Sequence, residues 1–277
     1  MTEHIPMFCI SLDRRPDRWM AFQTNARAGG IGDKVVRWSA VDAKKLDLEN
    51  LGPEKISLAV LHNIRLRTRR SPYEIDHAGA IGCSLSHIAV WQRIVDSAVP
   101  MAVVFEDDCS IPVGFAKALA TVVADLPASG DWDVVNFHKT DYDNSGRGCT
   151  PLKGADEPWW KCDSLTGSHG YLISRRGAQR LLRRALPIEI HIDAYIAYMS
   201  RVGIIRFLWH PALNCQQSGS SSDIMHGNHS VLNLPTEYTK KGLTVLPENQ
   251  MVAFIGLGVL AGGIGAAALL VGYSRRA

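Results

Sequence analysis

From Met101 the chain reads MAVVFEDDCSI: five apolar residues run into Glu106, Asp107 and Asp108, and Ile111 follows closely. A short β-branched run without polar alternation is the pattern of a strand buried on both faces. Such a strand needs a layer on each side, which constrains the chain to an α/β architecture. The surrounding sequence agrees. PMFCISL (6–12), KVVRWSAV (34–41), WDVVNF (132–137), GYLIS (170–174) and IIRFLWHPAL (204–213) read as further strands. Between them, residues 14–30, Ile56–Leu66, 83–98 (with Ser84 as cap), 113–126, 175–186 (capped by Ser174) and 192–203 carry helical spacing. Residues 43–78 are otherwise irregular, and 216–248 are read as mostly loop.

Three adjacent carboxylates at a strand end raise one another's pKa unless something positive neutralises them. In open α/β sheets ligands bind beyond the carboxyl ends of the strands. A hard divalent cation, carrying a diphosphate, suits that position and those oxygen donors. The competing reading is a strand end with solvated acids.

Composition narrows the field without choosing. The chain has 277 residues, 46% hydrophobic and 21% charged, which excludes a disordered or polytopic protein. A net charge of +3 gives no argument for nucleic acid. Arg65, Arg67, Arg69 and Arg70 form a local basic run, either a solvated face or a phosphate-binding patch. Six cysteines lie scattered without a CxxC pair, so a reducing compartment is expected, with a Cys149–Cys162 bridge left open. The segment MTEHIPMFCISLDRR has no signal-peptide pattern. Residues 251–271 carry no charge and are long enough to span a bilayer, with RR following at Arg275 and Arg276. Gly258 and Gly262 form a GxxxG that suits a homodimer through that helix. The expected organisation is a domain over 1–248 and a C-terminal transmembrane anchor over 249–277, with the domain facing the cytosol.

Four separated motifs then occur in order: FCISLDRRPDRW, GAIGCSLSHIAVWQRIV, VFEDDCSI and GSHGYLISRRGAQRLL. Together they resemble glycosyltransferase family 25, the lipooligosaccharide and collagen galactosyltransferase-like group, across about residues 6–225. The resemblance implies a GT-A-type, Rossmann-like nucleotide-sugar-binding domain, a UDP-sugar donor (usually UDP-galactose), Mn²⁺ or Mg²⁺, and inversion at the anomeric carbon. It places Glu106, Asp107 and Asp108 at the DxD-type motif, with Asp108 and Glu106 as metal ligands and a glutamate where a strict DxD has aspartate. Ser11, Asp13 and Arg14 would lie along the nucleotide, with Arg18 as an alternative phosphate contact. Ser86 and His87, at the opening of a helix, would flank the donor.

Inverting transfer needs a base for the acceptor hydroxyl. Glu189, His191 and Asp193 are candidates; Asp193 is the choice, against a role as helix cap. Gly167, Ser168, His169 and Gly170 form a backbone-rich site before a strand. His226 and His229 could reach a metal from a loop, and Trp159 and Trp160 could stack on an acceptor sugar or pack in the core. The acceptor would be a glycan, a glycolipid or a protein hydroxyl, and no nucleic-acid partner is expected. Two other readings remain: a nucleotidyltransferase, for which ISLDRRPDR lacks a glycine-rich phosphate loop, and a degenerate sugar-binding protein.

Overall fold

A computed structural model describes residues 5–127, 131–138, 149–152, 159–162 and 167–218, all within one compact unit, Met1–Val231. Its centre is an eight-stranded sheet. β1 (Met7–Ser11) lies between β2 (Val35–Ser39) and β3 (Met101–Glu106), parallel to both. β8 (Gly170–Ser174) runs antiparallel between β3 and β5 (Val134–Asn136). β9 (Phe207–Trp209) follows parallel to β5, and an antiparallel pair, β7 (Trp160–Cys162) and β6 (Cys149–Pro151), closes that edge. A separate two-residue ladder joins β4 (Cys109–Ser110) to β10 (Gln216–Gln217).

Helices cover both faces, as an all-apolar central strand requires. α3 (Ala78–Asp96), α5 (Arg175–Leu182) and α6 (Ile192–Arg201) pack on one face through Val90, Trp91, Ile94, Leu181 and Met199. α1 (Pro16–Ala28) and α4 (Phe115–Ala124) pack on the other through Phe22, Phe115, Leu119 and Val122. Within β3, Ala102 and Val104 join the first core while Val103 and Phe105 join the second. The remaining helix, α2 (Leu58–Leu66), is capped by Ser57, whose hydroxyl accepts from Val60 N.

The structure moves one element relative to the sequence expectation. α3 begins at Ala78, not near Ser84, so Ser84, Ser86 and His87 lie inside the helix rather than at its opening. Tertiary packing explains why Gly82 is tolerated there: a Cβ on it would come within 2.5 Å of the Val41 carbonyl. Ser86 Oγ accepts from Val41 N at 2.8 Å and donates to the Gly82 carbonyl at 2.6 Å, tying the helix to that segment.

Among the six scattered cysteines, Cys149 and Cys162 are bonded to each other across the β6–β7 pair. Among the described residues no helix is long and apolar enough to cross a membrane. The anticipated anchor at 251–271, its GxxxG, the 248/249 boundary, His226 and His229 lie outside the described residues.

Candidate functional site

The antiparallel insertion of β8 builds the site. β3 ends where β8 begins, with Phe105 paired to Gly170, so the acidic triplet and the 167–170 segment meet at one end of the central strands. Glu106 N donates to the His169 carbonyl at 2.9 Å, and Asp107 N donates to the Ile10 carbonyl at 3.2 Å. The triplet is thereby strung between the end of β1 and the start of β8.

The three carboxylates have different surroundings. Glu106 Oε1 accepts from the Ser168 hydroxyl at 2.6 Å and lies 3.4 Å from His87 Nε2. Burial alone would raise its pKa, but the His87 hydrogen bond and charge and the Ser168 hydroxyl bring it down to about 2. Asp107 Oδ1 pairs with Arg18 Nη2 at 2.5 Å; burial raises this group against the pull of that guanidinium. Asp108 Oδ2 accepts from Gln217 Nε2 at 3.0 Å and lies 3.2 Å from Arg18 Nη2. Burial, and then the charge on Glu106, push the Asp108 pKa up. Asp108 Oδ1 is buried with no hydrogen-bond partner among the described residues.

Behind Glu106 runs a buried chain of aromatic and polar groups. Trp91 Nε1 donates to the Tyr171 hydroxyl at 2.8 Å, and that hydroxyl lies 2.8 Å from His87 Nδ1. Indole can only donate, so the hydroxyl accepts from Trp91, and the other imidazole nitrogen, Nε2, faces Glu106. Cys83, His87 and Glu106 also place one donor atom each within 4.8 Å of one another. The hydrogen-bonded chain accounts for His87 and Glu106 without an ion.

The residues expected along the nucleotide line the ends of β1 and β2. Ser11 is buried beside Asp107. Asp13 accepts from Ser39 Oγ at 2.7 Å and pairs with Arg37 at 2.8 Å; the Ser39 bond and then Arg37 lower its pKa. Arg14 Nε bonds Asp42 Oδ2 at 3.1 Å. Ser86 is fully buried, occupied by the ties described above. Asp193 Oδ2 accepts from Gly167 N at 3.0 Å and Oδ1 from Ala194 N at 2.7 Å, while His191 is the residue at the helix cap. Asp193, Gly167, Ser168, Asn136 and Tyr171 line one small cavity. Burial raises the Glu189 pKa and lowers that of His191. Trp159 is a core residue, donating to Asp125 Oδ2 at 2.7 Å. In the basic run, Arg65 pairs with Glu49 and Arg70 with Glu74.

Sequence reasoning missed the Arg18 contacts with the acids, the Ser168–Glu106 bond, the Tyr171–Trp91 support and Gln217. Tyr171 sits in an apolar strand and carries no local sign of a polar task. As a site for a divalent cation the edge fits: Asp108 offers an unpartnered oxygen donor, the other acids hold their geometry, and oxygen donors suit Mn²⁺ or Mg²⁺.

Comparison with known proteins gives a consistent match. A family profile described as "Glycosyltransferase family 25 (LPS biosynthesis protein)" matches residues 4–196. A "Glycosyltransferase 25 family member" of Aedes aegypti is 29% identical over 207 residues, 70% of this chain and 30% of the relative. A "Procollagen galactosyltransferase 1" of Danio rerio is 28% identical over 201 residues, 70% of this chain and 31% of the relative. A "Probable inactive glycosyltransferase 25 family member 3" of Bos taurus is 28% identical over 195 residues, 66% of this chain and 30% of the relative. The chain thus spans about 30% of the length of these relatives.

Proposed function

Because the chain belongs to glycosyltransferase family 25, we propose that it is an inverting hexosyltransferase that uses a UDP-sugar, galactose by preference, and a divalent cation at Asp108. The unpartnered buried oxygen of Asp108, on the strand-end edge where α/β sheets bind ligands, is the observation that carries this reading. Galactose is supported by the printed name of the zebrafish relative, and a glycan or glycolipid acceptor by the family description.

Asp108 Oδ1 would hold the cation, Mn²⁺ or Mg²⁺, with Glu106 and Asp107 shaping its surroundings. When bound, that cation supplies charge stabilisation to a departing diphosphate. The chain's own residues do the rest. Ser11, Asp13 and Arg14 border the place for uridine and ribose, and Arg18 supplies a cationic side chain at the same edge. Gly167 to Gly170 bring backbone close to a hexose. Asp193, on the same cavity wall as Gly167 and Ser168, would take the proton of the acceptor hydroxyl. Its carboxylate accepts two backbone N–H groups and keeps lone-pair capacity for a third donor.

Residues 251–271 would anchor the chain to the membrane that carries its acceptor, with the domain on the cytosolic side. One observation favours the opposite face: the Cys149–Cys162 bridge belongs to an oxidising compartment. A catalytically degenerate protein is the second functional reading, favoured by the bovine relative named as probably inactive.

The decisive experiment is UDP-sugar hydrolysis and thermal shift on the full chain in detergent, with Mn²⁺ or EDTA, beside Asp108→Asn. Mn²⁺-dependent turnover of one donor, reduced roughly a hundredfold or more in the variant, is the expected result. Equal thermal shifts with Mn²⁺ and EDTA, and no turnover with any donor, would favour the degenerate reading.

A further inference from the structure

α2 has no part in the chemistry of the site, yet its surface is unusual. Its buried side is short: Val60 joins Ile56, Ile75, Ala80, Ile81 and Ile188 in a small third core. Its other side inverts the pattern of a solvated helix. Leu58, His62 and Leu66 recur every fourth residue, which puts them on one stripe, and all three are exposed. Leu58 is 73% and Leu66 57% exposed, where a surface helix carries polar residues. A third leucine, Leu186 at 42%, lies near the foot of the helix, because the Ile56–Ile188 bridge runs its segment alongside the entry to α2. Leucines exposed singly need no explanation, but three around one short helix do.

Cations frame the stripe. Lys55 precedes α2, Arg67 ends it, and Arg183 and Arg184 lead into Leu186. All four are exposed, and none has an acidic partner among the described residues. The other charges nearby are Arg65 and Arg70, held by Glu49 and Glu74, and the exposed Glu54 beside Lys55. Arg67 adds a second sign. It caps the helix at φ +50°, the left-handed conformation for which glycine is the usual choice, so the charge is kept there at a conformational cost. Leucines framed by unpaired cations match a bilayer interface, where apolar side chains enter the headgroup boundary and cations meet lipid phosphate. A purely acidic ligand would meet the cations and leave the leucines in water.

We propose that this face of α2 seats the protein on an anionic lipid surface. The position of α2 gives the contact a use. α3 passes the end of β3 at His87, which faces Glu106, so the first turns of α3 project beyond that end. Ala80 and Ile81, in those turns, are where α2 packs. Seating through α2 therefore holds the acidic end of the sheet near the lipid, within reach of an acceptor carried by the membrane. The proposal goes beyond the transferase reading and needs neither a cation at Asp108 nor residues 251–271.

A fluorophore on the full chain reads the contact directly. It is placed at His62→Cys and, for comparison, at Met20→Cys on α1, where Met20 is 60% exposed. Vesicles of phosphatidylcholine, with or without phosphatidylglycerol, carry brominated acyl chains as the quencher. Quenching at position 62 should rise roughly severalfold with phosphatidylglycerol, fall in high salt, and be absent at position 20. Lys55→Glu/Arg67→Glu should abolish the dependence on phosphatidylglycerol. Arg67→Gly separates fold from contact: its urea midpoint should rise while quenching falls. UDP-sugar hydrolysis in detergent should be the same in every variant, so a failed transferase reading and a failed lipid contact give different results. An unquenched label at position 62 with phosphatidylglycerol, equal quenching at 62 and 20, or quenching indifferent to charge reversal would overturn the proposal. Shielding of the label by soluble polyglutamate, with no quenching by either vesicle, would assign the face to an acidic protein and overturn it equally.

Discussion

At the scale of single residues, three adjacent acids do three different jobs because their neighbours differ. Arg18 is the cation that Asp107 and Asp108 meet, and its side chain is 10% exposed. Removing one partner of a buried pair leaves uncompensated charge. Arg18→Met should therefore cost about 3 kcal/mol in EDTA, measured by urea denaturation at pH 7, and Mn²⁺ should narrow that gap. Glu106 behaves oppositely with pH from its neighbours. Its folded pKa of about 2 lies below the ordinary glutamate value of 4.5, so its contribution to stability is full above that value. The contribution is lost as pH falls from there toward 2. The stability difference between wild type and Glu106→Gln should shrink across that window, and a difference flat in pH would contradict the pairing with His87 and Ser168. The acids themselves were legible in the sequence, because a carboxylate run after a buried strand is costly without a purpose. Their division of labour was not, since Ser168, His87 and Gln217 arrive from elements distant in the chain.

At the scale of elements, legibility followed length and periodicity. β3, α5 with its Ser174 cap, and α6 follow from apolar spacing and cap chemistry. The start of α3 did not, because Gly79 and Gly82 argue locally against a helix and only packing against Val41 reveals why Gly82 is there. β6 and β7 were also hidden: three residues each are too few to show an alternation. What secures that short pair is the covalent bond between Cys149 and Cys162, 13 residues apart. A closed loop of that size restricts the unfolded chain by about 3 kcal/mol. Cys149→Ser should lower stability by about 2–3 kcal/mol, read from urea midpoints with and without reductant. Counting free thiols in protein taken directly from cells also tests the compartment, since a reduced pair supports the cytosolic reading.

At the scale of the molecule, the α/β class was readable because a strand apolar on both faces admits few alternatives. The strand order was not, since β8 enters between β3 and β5 against their direction and no local pattern marks it. That insertion brings β4 and β10 together beside the site, with Ser218 N donating to the Asp108 carbonyl at 2.7 Å. Cys109, in this ladder, and Cys215, the residue just before it, are both buried and outside the disulfide. Cys215 N also donates to the Phe137 carbonyl at 2.6 Å. A thiol reagent can reach either sulfur only when the segment from Leu213 to Ser218 lifts away. The rate at which the two thiols react is then a clock for local opening at the site, set without any attached label. UDP with Mn²⁺ should slow that clock in proportion to occupancy, and in Asp108→Asn it should run at one speed whether or not they are present.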